Sequence, residues 1–130
     1  MGAKNVREQA IIPMTPAETH VGKEGYFVKN SSGSATLCTA VTDIPIGVIL
    51  DGEATTGKSS VQVCDGAGPT VRVKLGAAAT AFAYGTLHAT DGTVCDDPGS
   101  GNRVRVCRFL ESGVTDELVE AVLIYPLALS

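Results

Sequence analysis

The sequence predicts a mainly β fold: a small β-sandwich or barrel of two repeated hairpin units, with an extended N-terminal arm. Three observations carry this. Short apolar runs alternate with polar residues at period two, clusters of turn-forming residues separate the runs, and the second half of the chain echoes the order of the first. The composition agrees. In 130 residues with 44% hydrophobic content, only 5% are aromatic, there is no Trp, and 15 are Gly, so the apolar content is mostly Val, Ala, Leu and Ile. The length suits one compact domain.

The first eighteen residues stand apart. They carry Pro13 and Pro16, show no alternation, and contain an isolated apolar knot, Ile11-Ile12-Pro13-Met14. Proline excludes a helix interior and confines a strand to an edge. The expectation is an arm over residues 1–18, disordered until it folds on a partner, followed by a single β domain over residues 19–130. Ile11, Ile12, Pro13, Met14 and Pro16 are its candidate contact residues.

The first repeat opens with Gly25-Tyr26-Phe27-Val28-Lys29, a polar turn and Ala35-Thr36-Leu37-Cys38, which read as a hairpin. Ile46-Gly47-Val48-Ile49-Leu50 then leads into Gly52-Glu53-Ala54-Thr55-Thr56-Gly57-Lys58-Ser59, a full match to the phosphate-loop pattern. That motif requires a helix whose N-terminus receives the phosphates. Ser60-Val61-Gln62-Val63-Cys64 instead alternates and ends at the turn cluster Asp65-Gly66-Ala67-Gly68-Pro69, so the match is expected to be the loop of a second hairpin.

Val71-Arg72-Val73-Lys74-Leu75 alternates strictly and reads as a strand between the halves; the small residues from Gly76 to Tyr84 suit a tight connector or one helical turn. The second repeat pairs Gly85-Thr86-Leu87-His88-Ala89 with Asp91-Gly92-Thr93-Val94-Cys95. It then pairs Val106-Cys107-Arg108-Phe109-Leu110 with Leu118-Val119-Glu120-Ala121-Val122. Thr115-Asp116-Glu117 could also begin a helix, but the repeat and the β-branched content favour a strand. The loop equivalent to the phosphate-loop match, Ser112-Gly113-Val114-Thr115-Asp116-Glu117, has no Lys. Seven to nine strands are expected.

Charge and chemistry exclude several classes. A net charge of −4 with no basic stripe argues against nucleic acid, since Arg72, Arg103, Arg105 and Arg108 alternate with apolar residues as the solvent face of strands would. No run is long enough to span a bilayer, and the expectation is a chain made in the cytosol. Cys38, Cys64, Cys95 and Cys107 lack metal-ligand spacing and sit in or beside strands, which favours free thiols over disulfides. No Ser, His and Asp arrangement suited to nucleophilic catalysis is visible, and no cofactor or metal is expected.

The order of Gly25-Tyr26-Phe27-Val28-Lys29, Ile46-Gly47-Val48-Ile49, a polar loop, Val61-Gln62-Val63 and Val71-Arg72-Val73, behind an extended arm, resembles the capsid cement proteins of tailed bacteriophages. More distantly it resembles the lambda-type head decoration proteins. The resemblance covers about residues 15 to 125, most strongly from Ile44-Pro45-Ile46 through Val73; the four cysteines and the very polar loops depart from it. It implies a non-enzymatic structural protein of the virion: homotrimers, made in the host cytoplasm, on the outer surface of the expanded head, clamping neighbouring major capsid proteins at three-fold and quasi-three-fold positions. The alternative from the residues alone is a ligand- or carbohydrate-binding β module on a virion or cell surface. Such modules present exposed aromatics, and most of the six Tyr and Phe residues are expected to be needed in the core.

Overall fold

A computed structural model describes residues 11–52, 57–64, 70–88 and 91–130. These form ten strands and no helix, hence no helix long and apolar enough to cross a membrane. The strands are β1 (Ile11–Met14), β2 (Phe27–Ser31), β3 (Ser34–Leu37), β4 (Gly47–Asp51), β5 (Ser59–Val63), β6 (Thr70–Lys74), β7 (Tyr84–Leu87), β8 (Val94–Asp96), β9 (Arg103–Phe109) and β10 (Leu118–Leu129). They make two antiparallel five-stranded sheets, a small β-sandwich, with orders β1-β5-β4-β2-β3 and β6-β10-β9-β7-β8.

The second order is the first with five added to each strand number, so the repeat read from the sequence is a repeat of topology. The ladders fix its register. Val28 opposite Gly47 corresponds to Gly85 opposite Cys107, and Ile12 opposite Val61 corresponds to Val71 opposite Ala121. Each sheet also curls until its two edges meet. A parallel bridge joins Pro16 to Ala35, with the Ala35 N–H donating to the Thr15 carbonyl at 2.8 Å; its counterpart joins Leu75 to Val94.

This register corrects three expectations. Residues 11–18 are not an arm separate from the domain: Ile11–Met14 is the first strand of the first repeat, equivalent to the strand at Val71-Arg72-Val73, which itself opens the second repeat rather than lying between the halves. Ile12 and Met14 pack against the buried cluster of Val28, Ala35, Ile49 and Val61, while Pro13 points outward at the sheet edge, where its missing N–H costs nothing. The part of the arm at residues 1–10, loop residues 53–56 and the turn cluster at 65–69 lie outside the described residues. Gly25 corresponds not to Gly85 but to Phe82, which keeps its positive φ (90° and 68°). Cys95 corresponds to Thr36, since these residues face Thr86 and Lys29 in equivalent ladders. The slip arises because a two-residue turn, Ser32-Gly33, is replaced by a longer one in the second half.

The other elements follow the sequence. The phosphate-loop match joins β4 to the antiparallel β5, and residues from Leu118 form a strand rather than a helix. The connector before Tyr84 is a series of turns. Inside each sheet, large and small residues trade places. Gly85 leaves room for Phe109, whose ring carbon Cζ would lie 2.7 Å from a Cβ there, whereas the first half fills the same space with Val28 and Ile49. The main core holds Val71, Val73, Leu75, Val94, Phe109 and Ala121 of the second half together with Phe27, Val48, Cys38 and Cys64 of the first. Full burial of Phe27 and Phe109 contributes roughly 1.5–3 kcal/mol each.

Candidate functional site

The end of the phosphate-loop match is engaged within the domain. Lys58 Nζ donates to Thr15 Oγ1 at 2.7 Å, and Ser59, now the first residue of β5, is buried with its hydroxyl 2.7 Å from His20 Nδ1. His20 Nε2 in turn meets Glu18 Oε2 at 2.6 Å, and the other Glu18 oxygen accepts from Thr36 Oγ1 and the Leu37 N–H. Burial alone would raise the Glu18 pKa; the bonds from Thr36, Leu37 and His20 outweigh it and hold the carboxyl below its usual range. Glu18 and His20 lie two residues apart, but no local pattern signals that Ser59 joins them, because it comes from a segment 39 residues further along the chain. The line nonetheless offers no nucleophile, because Ser59 and His20 are each 1% exposed and a substrate carbonyl has no path to the hydroxyl. It locks the segment after β1 onto β3 and β5.

Three of the four thiols are enclosed as well, and Cys95 is partly exposed. Cys38, Cys64 and Cys107 are buried and all four cysteines are unbridged. Burial pushes the Cys38 thiol up to about 12 and raises those of Cys107 and Cys95, so none of these three is a ready thiolate. Among the described residues, no group of three or more His, Cys, Asp or Glu could hold a metal ion.

What the second sheet does expose is an aromatic and arginine face. Tyr84 on β7 stands opposite Arg108 on β9, and Arg108 stands opposite Val122 on β10. The Arg105 guanidinium lies 4.5 Å from the Tyr84 ring centre and that of Arg108 lies 5.7 Å away, and Arg108 Nε also donates to the Phe82 carbonyl at 3.0 Å. Leu127 stands opposite Arg105, next to the bulge that carries Tyr125. Phe82, Tyr84, Tyr125 and Leu127 are 63%, 41%, 71% and 47% exposed. The expectation that most aromatics are needed in the core is therefore corrected: Phe27 and Phe109 fill it, and three others face solvent.

No family model matches this sequence, and no curated protein matches it. The face must be read from its own chemistry.

Its floor is an ion-pair network. Asp97 accepts from Arg103 Nε and Arg105 Nε with its two oxygens and from the Gly99 N–H. Burial would raise the Asp97 pKa, and these three donors outweigh it and depress it. Arg103, expected on the solvent face, is buried and also donates to the Gly101 carbonyl. With Arg105 held at one end by Asp97, its guanidinium is pre-positioned over Tyr84. A cleft of about 530 Å³ runs from Thr42 and Asn102 to Leu129, and Arg103 on its wall is already engaged.

Ile11, Ile12, Pro13, Met14 and Pro16 thus lie on the first sheet, with only Pro13 well exposed, while the most exposed aromatics lie on the second.

Proposed function

We propose that this chain is a structural capsid decoration protein, which binds the outer surface of a phage head and clamps neighbouring major capsid proteins, acting there as a homotrimer. The observation that supports it is the exposed face of Phe82, Tyr84, Arg105, Arg108, Tyr125 and Leu127. Aromatic residues and Arg are the types enriched at protein contacts and at their energetic hot spots. The choice of a capsid as partner comes from the segment order that resembles the cement proteins. A thin shell gains from many modest clamps acting together, and a broad face without a deep pocket fits that task.

The test is co-sedimentation of the protein with expanded, undecorated heads of the parent phage, followed by imaging. Saturable binding, with density at three-fold and quasi-three-fold positions on the outside, is expected. Density inside the shell, or at five-fold vertices alone, contradicts the reading.

The exposed Tyr84, Phe82 and Tyr125 also favour a second reading, a carbohydrate-binding module, because aromatic faces stack on sugar rings. A glycan array separates the two: a strong, saturable glycan signal that falls in Tyr84→Ala, without head binding, selects the module.

A further inference from the structure

The two halves of the chain meet head to tail, and the contact uses only one copy of each surface. Phe27 and Val48 of the first half enter the core of the second, whereas their equivalents, Tyr84 and Arg108, are exposed. Two main-chain hydrogen bonds complete the junction. The Phe27 N–H donates to the Gly92 carbonyl at 2.8 Å, and the Lys74 N–H to the Gly25 carbonyl at 2.9 Å. By the register of the repeat, the corresponding atoms are the Tyr84 N–H with the Gly33 carbonyl, and the Thr15 N–H with the Phe82 carbonyl. Neither pair is joined within the chain among the described residues; the Phe82 carbonyl accepts from Arg108 Nε, and its second lone pair can take the Thr15 N–H.

The receiving surface is likewise built twice and covered once. Gly33 and Gly92 share a positive φ, 87° and 82°, and each ends the turn of its hairpin. At Gly92 the Phe27 carbonyl oxygen fills the space a side chain would take, 2.5 Å from where a Cβ would stand, whereas at Gly33 nothing lies within 4 Å. One chain therefore carries an unused head, Phe82, Tyr84, Arg108 and Val122, and an unused tail, the Ser32-Gly33 turn with Thr15 after β1.

We propose that the Tyr84 and Arg108 face docks the first half of a second copy of this chain, through that copy's Ser32-Gly33 turn and Thr15, repeating between chains the contact that joins the halves within one. Such an interface is heterologous, so successive copies close a ring or extend a chain according to the rotation per step. Arg and Tyr in place of Val and Phe suit it, since a face exposed in the free monomer needs more polarity than a permanent core. Docking between copies rests on the repeat and needs no head, so it can fail while head binding holds, and the reverse.

The test is disulfide trapping of the free full chain. Ser32→Cys on a tagged chain is mixed with Tyr84→Cys on an untagged one, with Val114→Cys, another exposed position, replacing Tyr84→Cys as control. Mixed dimers are expected to form roughly ten-fold faster than in the control, because docking raises the effective concentration of the two thiols. Adding Arg108→Glu to the Tyr84→Cys chain should return the rate to the control level with an unchanged circular dichroism spectrum. If Tyr84→Cys does not fold, Val122→Cys in the same row takes its place, again with and without Arg108→Glu. Trapping no faster than the control overturns the proposal, and so does preferential self-linking of Tyr84→Cys chains, which would mark a two-fold contact instead.

Discussion

His20 Nδ1 and the Ser59 hydroxyl meet at 2.7 Å in the interior, tying the segment that follows β1 to the first residue of β5. The last residue of the phosphate-loop pattern thus serves the fold. Ser59→Ala removes the partner of a buried ring nitrogen, a loss of about 1–3 kcal/mol. Chemical denaturation should show a lower midpoint with an unchanged slope. Magnesium-ATP should leave the thermal midpoint of the native chain where it is; a rise that disappears in Lys58→Ala would restore the nucleotide reading.

Asp97 supplies the second expectation. Its folded pKa is depressed, so its contribution to stability is complete above the unfolded value of about 3.9 and is lost as pH falls through the lower folded value, where the carboxylate that binds Arg103 and Arg105 takes a proton. Asp97→Asn leaves the buried Arg103 without its counter-charge and should cost about 3–5 kcal/mol at neutral pH. Denaturation measured from neutral to acid pH should then show a shallower acid limb in the variant. An identical limb would assign the acid sensitivity to other carboxylates, Glu18 first.

Much of the fold was legible because the hairpins carry their signals locally. Val71-Arg72-Val73 announced a strand by alternation alone, and its equivalent Ile12-Pro13-Met14 has the same inward, outward, inward order. Pro13 at the outward position disguised it, and only the register shows the two as equivalents. The match of Gly25 to Gly85 was misleading because identity of one residue type competed with a change in turn length, which a single sequence does not display. The aromatic face was not legible for a different reason. Equivalent residues of the two repeated sheets face opposite fates, Phe27 buried and Tyr84 exposed, and which face is covered depends on how the sheets pack rather than on any local pattern.

Phe82 offers a test of the repeat itself. It occupies the left-handed position filled by Gly25 in the first half, with φ at 68° and its side chain 63% exposed. A side chain there costs about 1–2 kcal/mol of backbone energy, against roughly 0.5–1 kcal/mol of chain entropy for glycine. Phe82→Gly should therefore be more stable than Phe82→Ala by up to about 1.5 kcal/mol, the reverse of the usual order away from such positions. Thermal unfolding of the two variants, compared at equal concentration, reads the difference; alanine as the more stable would mean that residue 82 relaxes out of the left-handed region.

The start of the chain gives the last prediction. An arm that folds only on a partner could be removed without harm, yet β1 lies in the first sheet, with Ile12 and Met14 against Val61 and its neighbours. A chain beginning at Thr19 loses that strand, the Lys58 to Thr15 bond, and every bond made by Glu18. Partial exposure of two or three apolar side chains at roughly 1.5–3 kcal/mol each when fully buried, with the broken ladder added, amounts to several kcal/mol out of the roughly 5–15 kcal/mol that hold a typical domain together. That chain should unfold at a markedly lower temperature, so its failure to bind heads would report misfolding and not a missing clamp. A chain beginning at Ile11 keeps β1 and should match the full-length thermal midpoint. Its affinity for expanded heads, set beside that of the full chain, then isolates the first ten residues: equal affinity assigns the clamp to the folded domain, and a folded chain that no longer binds assigns it to them.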